Sequence, residues 1–440
     1  MSGLELTIAA FILMLVAIFL RVPIAVAMGV TGFVGSWIVR GQPTAVLSQL
    51  KTLPYDTFSS YSLSIVPLFL LMGQFATKSG MSQALFRAAA DWLGHRKGGV
   101  ALAAVGACAG FGAVCGSSLA TASTMGQVAL PEMRRYGYSN ALATGALAAG
   151  GTLGILIPPS IILIIYAILT EQNVIKMFAA AMIPGLLAML GYMLVVALYA
   201  RIRPDAAVTA PRVPYGERFL SLAGTWPVLA IFLVVIGGIY LGKFTPTEGA
   251  AVGAVATGLY GIWTGGLNLT TFVDCVLSAG QTTAMIFLII LGATVFNSFL
   301  GTTRTPQALA DWVAGTGFAP MTILTIMLLT YLVFGCVMDS LSMILLTIPI
   351  FFPIIEVLDF GMTPEETAIW FGILALIVVE VGLITPPVGM NLFIIHSMAR
   401  DVPITATYRG VAPFVASDLI RVVLLVSFPA ISLALVRWLF

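Results

Sequence analysis

The sequence predicts an all-α integral membrane protein made of two inverted repeats, each with one re-entrant hairpin and one broken helix. Three observations lead to this fold class: the composition, two proline pairs inside long apolar runs, and an internal sequence repeat. Of the 440 residues, 60% are hydrophobic and only 9% are charged, whereas soluble domains carry roughly 25% charged residues. The chain is therefore expected to lie in a lipid bilayer.

Ten apolar segments are predicted to cross this bilayer, because each approaches the ~20 residues needed to span ~30 Å of hydrocarbon. The first has no basic start and no small-residue cleavage site, so we expect a retained helix and not a signal peptide. Its first basic residue, Arg21, follows the helix, which predicts an outer N-terminus. The segments are Leu4–Leu20, Val22–Val39, Ser62–Ala76, Ala141–Leu169, Phe178–Ala200, Trp226–Leu241, Gly249–Gly265, Thr282–Leu300, Thr367–Ser397 and Val411–Trp438.

Two of these segments are broken by adjacent prolines. Thr367–Ser397 contains Gly382-Leu-Ile-Thr-Pro-Pro-Val-Gly-Met-Asn391, and Ala141–Leu169 contains Gly151-Thr-Leu-Gly-Ile-Leu-Ile-Pro-Pro-Ser160. Proline removes a backbone donor and leaves carbonyl groups without partners in the helix. A bilayer tolerates such backbone only inside protein or beside a polar cavity. A broken helix in each half of the chain therefore indicates a transporter binding site.

Two further apolar stretches, Gly99–Pro131 and Met321–Pro353, are interrupted near the middle by small or polar residues. Each is predicted to be a re-entrant hairpin, and a single tilted span is the alternative. With both hairpins non-crossing, 14 of the 20 Lys and Arg residues fall on the inner side and 6 on the outer side. This is the asymmetry of the positive-inside rule, and it disappears if both stretches are full spans.

The two halves of the chain are related by an internal repeat. Phe111-Gly-Ala-Val-Cys-Gly-Ser117 aligns with Phe334-Gly-Cys-Val-Met-Asp-Ser340, and Pro158-Pro159 aligns with Pro386-Pro387. The polar segment Arg201–Arg218 separates the halves. We therefore predict a first repeat at residues 1–200, a cytoplasmic linker at 201–225 and a second repeat at 226–440. The first repeat starts outside and the second inside, so they are inverted.

A connector precedes each hairpin: Lys78–Lys97 in the first half and Thr302–Gly317 in the second. Both alternate apolar and polar residues, and each carries a tryptophan, Trp92 or Trp312. Indole rings and basic side chains are typical of the membrane interface. We predict surface-lying arm helices here, and short loops with a helical turn are the alternative.

The first hairpin tip is Cys115-Gly-Ser-Ser-Leu-Ala-Thr121. Its hydroxyl groups and freed carbonyl groups can replace part of the water shell of a cation. A helix that starts near Ser117 or Ser118 also offers N–H groups to an anion. The competing explanation is close helix packing, which favours small residues in membranes as well.

The second tip, Val337-Met-Asp-Ser-Leu-Ser342, contains an acid, Asp339. A carboxylate at membrane depth usually marks an ion or substrate path, although Asp339 can also cap the returning helix. Glu380 lies six residues before the proline pair. It is open to three interpretations: a proton-linked group, a helix–helix hydrogen-bond partner, or a residue facing a water-filled gap.

Several other classes of protein are excluded or disfavoured. The four cysteines show no C-x-x-C spacing, and His95 and His396 are isolated, so no metal or catalytic set is expected. The sequence contains no basic block that would predict binding to nucleic acid. It contains no P-loop that would predict ATP hydrolysis. An intramembrane serine hydrolase using Ser117 stays as a remote alternative, since no base can be assigned to that serine.

Several motifs, in order along the chain, resemble the large membrane subunit, DctM-like, of tripartite ATP-independent periplasmic (TRAP) transporters. The resemblance runs from the first helix to near the C-terminus. The motifs are Gly116-Ser-Ser, Leu130-Pro-Glu-Met-Arg-Arg-Tyr-Gly-Tyr138, Gly154-Ile-Leu-Ile-Pro-Pro-Ser160, Ile183-Pro-Gly185, Phe244-Thr-Pro-Thr-Glu248 and Leu383-Ile-Thr-Pro-Pro-Val-Gly-Met-Asn-Leu-Phe393.

The resemblance implies a secondary transporter of the elevator type in a bacterial inner membrane. The predicted span layout puts both termini on the periplasmic side. It implies sodium as the coupling ion, no other cofactor, and a small organic anion as substrate. The expected partners are a separate small four-helix membrane subunit and a periplasmic substrate-binding protein. A standalone ion-coupled carrier of the same architecture is the alternative.

The resemblance also implies where sodium and substrate bind. One sodium site is expected at the first tip with the first break, another at the second tip with the second break, and the substrate between the tips. The expected residues are Gly116, Ser117, Ser118, Thr121, Gly151, Thr152, Gly154, Pro158, Pro159, Asp339, Ser340, Ser342, Gly382, Thr385, Pro386, Pro387 and Asn391.

Overall fold

The computed structural model describes residues 3–315 and 317–440, and within these ranges every regular element is a helix. This confirms the all-α prediction. The helices of the first half are α1 (Gly3–Phe19), α2 (Ile24–Arg40), α3 (Pro43–Phe58), α4 (Ile65–Lys78), α5 (Met81–Leu93), α6 (Gly99–Cys115), α7 (Ser118–Arg135), α8 (Asn140–Leu156), α9 (Ile161–Leu169) and α10 (Val174–Ile202).

The linker and the second half continue in the same way. Their helices are α11 (Tyr215–Ala223), α12 (Trp226–Tyr240), α13 (Pro246–Trp263), α14 (Leu269–Thr303), α15 (Thr305–Gly315), α16 (Pro320–Gly335), α17 (Ser340–Val357), α18 (Pro364–Gly382), α19 (Met390–Met398), α20 (Ile404–Ser427) and α21 (Ala430–Leu439).

The sequence prediction was wrong for two of these elements. It predicted no span between Val39 and Ser62, whereas α3 forms there and meets the next helical segment at 50°. Polar residues such as Lys51 and Asp56 lower the hydropathy of this stretch below that of an apolar span. The predicted single span Val411–Trp438 is two helices, α20 and α21, because the chain leaves the helix at Phe428 and restarts after Pro429.

By length and composition, four helices of the described chain can cross a membrane: α10, α14, α17 and α20. The number rises to seven if three bent pairs, α3–α4, α8–α9 and α11–α12, each count as one span. Helices α1 and α2, also predicted to be spans, are shorter, with 17 residues each. Length does not distinguish a span from half of a hairpin, whereas the contacts between helices do.

The first half of the first hairpin, α6, runs parallel to α8. A Cβ added to Gly150 of α8 would lie 2.8 Å from the sulfur atom of Cys108 on α6. Four residues later on both helices, Gly154 is in direct contact with Gly112. Residue numbers therefore rise together along the two helices, which packs them side by side in the same direction.

The second half of this hairpin, α7, runs the opposite way along α8. A Cβ added to Gly154 would lie 2.7 Å from the carbonyl oxygen of Ser117, and one added to Gly151 would lie 2.6 Å from the Cβ of Ala122. Along this contact, residue numbers decrease on α8 while they increase on α7, so these two helices run in opposite directions. Helices α6 and α7 are therefore antiparallel, and the hairpin is favoured over the tilted span.

The second hairpin consists of α16 and α17. The Tyr331 hydroxyl on α16 accepts a hydrogen bond of 2.9 Å from Thr347 on α17, and the Tyr331 ring lies 5.3 Å from that of Phe351. Tyr331 and Thr347 are equally far from the tip at Asp339 along the chain. The two helices therefore return along each other, again as a hairpin.

Two glycine pairs at equivalent positions relate the two halves in three dimensions. Gly112 of α6 touches Gly154 of α8, and Gly335 of α16 touches Gly382 of α18, where an added Cβ would lie 2.5 Å from the Gly335 carbonyl carbon. Small residues allow such close backbone crossings in membrane proteins. The same crossing at aligned positions supports the internal repeat.

Other helices form a scaffold beside these elements. Helix α2 crosses α14 closely, since a Cβ on Gly32 would lie 2.7 Å from the Phe296 backbone. Helix α4 packs against α13, where a Cβ on Gly258 would lie 3.2 Å from the Phe75 ring. The close contacts come from both halves of the chain, so the scaffold is shared between the repeats.

The predicted cytoplasmic linker is partly helical and packs on α5. The Trp92 indole donates a hydrogen bond of 3.1 Å to the Arg218 carbonyl, and its ring lies 5.4 Å from that of Phe219. Both predicted arms contain a helix, α5 and α15, although residue 316 of the second lies outside the described residues. Their position at the membrane interface stays a prediction.

Ion pairs agree with the relative sides that the hairpin layout assigns. Arg134, after the first hairpin, contacts Asp401 at 2.9 Å, and this hydrogen bond lowers the pKa of the Asp401 carboxyl. If both hairpins were full spans, these two residues would lie on opposite sides. Arg437 likewise contacts Glu366 at 2.7 Å, and both belong to the predicted outer side.

Candidate functional site

A cavity of about 150 Å³ lies between the two hairpin tips. Ser117 and Ser118 line it from the first tip, Asp339 and Ser340 from the second, and Thr282 of α14 from the scaffold. The tips are more than 200 residues apart in sequence, and folding brings them to the same cavity. The cavity is smaller than the ~300–1,000 Å³ typical of sites for drug-sized ligands.

The first tip is built by a glycine and a capping serine. Helix α6 ends at Gly116, whose φ of 66° is the left-handed conformation that glycine adopts without strain. Ser117 then caps α7, because its hydroxyl accepts a hydrogen bond of 3.4 Å from the N–H of Ala120. The tip therefore presents the free N–H groups of a helix N-terminus.

This tip packs tightly on the first broken helix. Gly154 lies against the Ser117 carbonyl and against the hydroxyl of Thr121. Thr121 is fully buried, and its hydroxyl makes no standard hydrogen bond within the described residues, with the Cys115 thiol as its polar neighbour. A buried hydroxyl and a carbonyl close to a helix break are oxygen atoms that can serve as cation ligands.

The first break is shorter than the sequence indicates. Helix α8 continues to Leu156, so Gly151, Thr152 and Gly154 are helical and only Ile157–Ser160 is unwound. Pro158 and Pro159 within it are buried, and Ser160 caps α9. From this region, Ile155, Ile161 and Ile162 line the cavity, whereas the predicted residues of the break are not among its described lining residues. The unwound carbonyl groups come from four residues.

Thr152 has a different environment from the other predicted residues. Its hydroxyl lies 3.0 Å from the Tyr192 hydroxyl, which donates a hydrogen bond of 2.6 Å to Asp418. Asp418 in turn pairs with Arg421 at 2.8 Å. All four side chains are buried. They form a polar network between α8, α10 and α20 that sequence spacing gave no means of finding.

At the second tip, Asp339 is the cap of α17. One carboxyl oxygen accepts a hydrogen bond of 3.0 Å from the Ser342 N–H, and the other accepts one from the Ser342 hydroxyl. This is the capping role that the sequence left open. Each carboxylate oxygen has a further lone pair, and Asp339 lines the cavity, so capping leaves it able to bind a cation.

The second break, Leu383–Gly389, is longer and more open than the first. Thr385 donates a hydrogen bond of 2.6 Å to the Val381 carbonyl, and the N–H of Gly389 donates one of 3.0 Å to the Cys336 carbonyl beside the tip. Pro386 and Pro387 are exposed, unlike the buried prolines of the first break. The repeats are therefore alike in backbone but unlike in accessibility.

Asn391, predicted to belong to the second break, lies against the first broken helix. Its amide group donates a hydrogen bond of 3.4 Å to the Ala148 carbonyl, and its other amide atom, Oδ1, is buried without a partner in the described residues. A Cβ on Gly151 would lie 3.2 Å from the Asn391 amide nitrogen. This side chain thus connects the second half of the chain to the first.

Glu380 is a buried acid that lies beside both hairpin tips. It is 1% exposed, and it accepts a hydrogen bond of 2.6 Å from the Ser340 hydroxyl. The Ser118 hydroxyl, on the other hairpin, also faces this carboxyl group. Its position beside both tips could not be deduced from spacing, although an acid at membrane depth was a signal.

Comparison with known proteins identifies the family. Residues 11–431 match the family described as "Tripartite ATP-independent periplasmic transporter, DctM component". The chain is 39% identical over 386 residues to the "C4-dicarboxylate TRAP transporter large permease protein DctM" of Pseudomonas aeruginosa, covering 88% of each chain. It is 32% identical over 381 residues to the "Sialic acid TRAP transporter large permease protein SiaM" of Vibrio cholerae, covering 86% of each.

A solved structure, that of the Alcanivorax borkumensis YdaH transporter, matches with a TM-score of 0.64 over 88% of this chain and 89% of that chain. At 16% sequence identity this is a likeness of fold. The curated relatives are named as transport permeases, which indicates a transporter and removes the serine hydrolase hypothesis for Ser117. With residues 11–431 matched, this chain belongs to the DctM component family of tripartite ATP-independent periplasmic transporters, as a large permease protein.

Proposed function

We propose that this protein uses a sodium gradient to import a small organic acid across a bacterial inner membrane. A four-carbon dicarboxylate is the first substrate class to test, because three relatives, 32–39% identical, are named C4-dicarboxylate permeases. More distant relatives are named for sialic acid and for ectoine. The small cavity between the tips also favours a compact substrate over a larger one.

The single observation that carries the proposal is the chemistry of this cavity. Both hairpin tips border it, yet none of the described residues that line it is Lys, Arg or His. An anion there must be held by hydroxyl groups, by the N–H groups at the starts of α7 and α17, and by bound cations. Asp339 adds a negative charge to the cavity, which repels a dicarboxylate. Bound cations are therefore needed even more to hold such a substrate there.

The residues near each tip fit sodium. At the first tip, the Thr121 hydroxyl and the Ser117 carbonyl converge beside Gly154. At the second, Asp339 offers carboxylate oxygens, and the unwound segment Leu383–Gly389 is joined to this tip by the hydrogen bond from the Gly389 N–H to the Cys336 carbonyl. When bound, the ions supply positive charge that stabilises the substrate carboxylates. The protein groups orient them and keep water out of the buried side of the site.

We further propose that the two hairpins and the two broken helices move together against the scaffold, as in an elevator. The support is that Thr282 and Met285 of α14 line the same cavity as the tips. Such a boundary would let the tips carry substrate past a fixed surface. A separate small membrane subunit and a periplasmic binding protein complete the system, and both termini are periplasmic in this proposal.

Reconstituted vesicles test this function. The chain, its small subunit and its binding protein are combined, and uptake of radiolabelled succinate is measured with an inward sodium gradient or with potassium in its place. We expect uptake only with sodium and only with the binding protein. Equal uptake in potassium would refute the sodium coupling.

The second candidate function is a standalone ion-coupled carrier of the same architecture. It is favoured by the substrate cavity being formed within this one chain. The same vesicles distinguish the two functions, because such a carrier takes up succinate at the same rate when the binding protein is omitted.

A further inference from the structure

We infer that Glu380 forms an additional sodium-binding position at the junction of the two hairpin tips. This inference rests on the proposed sodium coupling and assigns a role to a residue outside the sites expected at the two tips and breaks. It starts from the geometry of one buried carboxyl group that meets both halves of the chain.

Glu380 contacts the first helical residue of each returning helix. The Ser340 hydroxyl at the start of α17 donates to Oε1 at 2.6 Å, and the Ser118 hydroxyl at the start of α7 faces the same group. All three residues are at most 3% exposed. Hydroxyls from two hairpins and a carboxylate therefore converge at one dry point between the tips.

The second oxygen of this carboxyl group, Oε2, is buried and accepts no hydrogen bond within the described residues. A buried ionised carboxylate without compensation is costly, above all at membrane depth. The serine hydroxyl on Oε1 satisfies one oxygen and leaves the other with free lone pairs. Oε2 is thus a ligand atom without a ligand in the protein itself.

The nearby charges do not neutralise Glu380. Asp418 and Arg421 lie close enough to influence it, and they form an ion pair with each other at 2.8 Å. With one positive and two negative groups, this buried cluster carries a formal charge of about −1 when all three are ionised. One bound monovalent cation brings the cluster to neutrality. Sodium, already required by the proposed mechanism, supplies it.

A purely structural role makes a different prediction, and substitutions separate the two. Glu380→Gln keeps the side-chain length and can still accept the hydrogen bond from the Ser340 hydroxyl through its amide oxygen. It loses only the charge. Glu380→Leu loses the hydrogen bonds as well. A clasp between the tips survives the first change, whereas a sodium ligand does not.

The experiment measures sodium binding without transport. The full chain is purified in detergent, and its thermal unfolding midpoint is recorded as NaCl replaces KCl at constant ionic strength, because a ligand that binds the folded state raises this midpoint. We expect Glu380→Gln to raise the sodium concentration for half-maximal stabilisation about 10–100-fold, the range seen when a metal site loses a supporting group. Glu356→Gln, at an exposed acid on α17, is the matched control and should behave as wild type.

Each outcome decides between the interpretations. If Glu380→Gln responds to sodium as wild type does, the inference is overturned, and a defect confined to Glu380→Leu then identifies a structural clasp. If wild type shows no sodium response at all, the proposed sodium coupling fails together with the inference. Should the Gln variant not fold, Glu380→Asp keeps the charge but withdraws it by one methylene, and an unchanged sodium response in that variant also overturns the inference.

Discussion

Replacing Gly154 by alanine should impair sodium binding while leaving the protein folded. Gly154 lies where the first hairpin tip packs on α8, and its backbone is helical, so alanine meets no conformational penalty there. The new Cβ would stand 2.7 Å from the Ser117 carbonyl oxygen and closer still to the Thr121 hydroxyl. These are the two oxygen atoms that we propose for the first sodium site.

The expected magnitude follows from opposing effects. Alanine favours a helix over glycine by about 1 kcal/mol, while overpacking a tight contact costs about 1–3 kcal/mol. The net loss of unfolding free energy is then about 0–2 kcal/mol. To reach ordinary contact at about 3.4 Å, the Ser117 carbonyl must retreat by about 0.7 Å from its 2.7 Å separation. Misplacements on the order of 1 Å can cost about 100-fold in a preorganised site.

The assay is the sodium dependence of succinate uptake in vesicles, together with the thermal unfolding midpoint. We expect the sodium concentration for half-maximal uptake to rise by about tenfold or more, with a small change in the thermal unfolding midpoint. Gly280→Ala on α14 is the matched control, because nothing lies within 4 Å of its added Cβ. Sodium dependence that is equal in the two variants would refute the packing argument for the first site.

Three other predictions concern single residues. Asp339→Asn keeps a good helix cap but removes the charge, so sodium affinity should fall with little loss of stability, and unchanged sodium activation would reduce Asp339 to a cap. Asp418→Asn leaves Arg421 buried without its partner, which should cost about 3–5 kcal/mol of unfolding free energy. The double variant Asp418→Asn/Arg421→Gln should unfold at a higher temperature than Asp418→Asn alone. An equal or lower unfolding temperature would contradict this. Arg135→Cys, at the exposed C-terminal end of α7, should react with an impermeant thiol reagent only from the cytoplasmic side, and labelling from outside would contradict the topology. The four native cysteines are buried and give little background.

The features that could be predicted from the sequence depend on interactions between residues a few positions apart. Gly116 and the capping residues Ser117 and Asp339 determine where each hairpin turns, because glycine and capping side chains act within a few residues. The proline pairs determine where the broken helices lose their hydrogen bonds. These signals located both tips and both breaks. They could not give the extent of the first break, since α8 tolerates its glycines up to Leu156.

The features that did not follow depend on contacts between distant segments. Thr152 was assigned to a sodium site, yet its hydroxyl engages Tyr192 on another helix. Asn391 was assigned to the second break, yet it binds the backbone of α8. Hydropathy also passed over α3, whose polar side chains conceal a helix. For Thr152 and Asn391 the partners lie 40 and 243 residues away along the chain, where spacing carries no information.

The internal repeat gives Glu380 and Thr152 a common position. Aligning Pro158-Pro159 with Pro386-Pro387 also pairs Gly154 with Gly382 and Thr152 with Glu380. Both residues therefore lie two positions before the glycine where a hairpin crosses a broken helix.

The two halves use this shared position differently. On α8 it holds a hydroxyl satisfied by Tyr192 and, through it, by the Asp418–Arg421 pair. On α18 it holds a carboxylate with one oxygen unsatisfied, beside the same pair. One buried network thus joins equivalent points of both repeats, and when all its groups are ionised an uncompensated formal charge remains at the second alone. An ion that neutralises this charge would alter the contacts of both tips at once, because Ser118 and Ser340 share the carboxyl group. That is a physical route by which sodium binding and the closure of both hairpins can depend on each other.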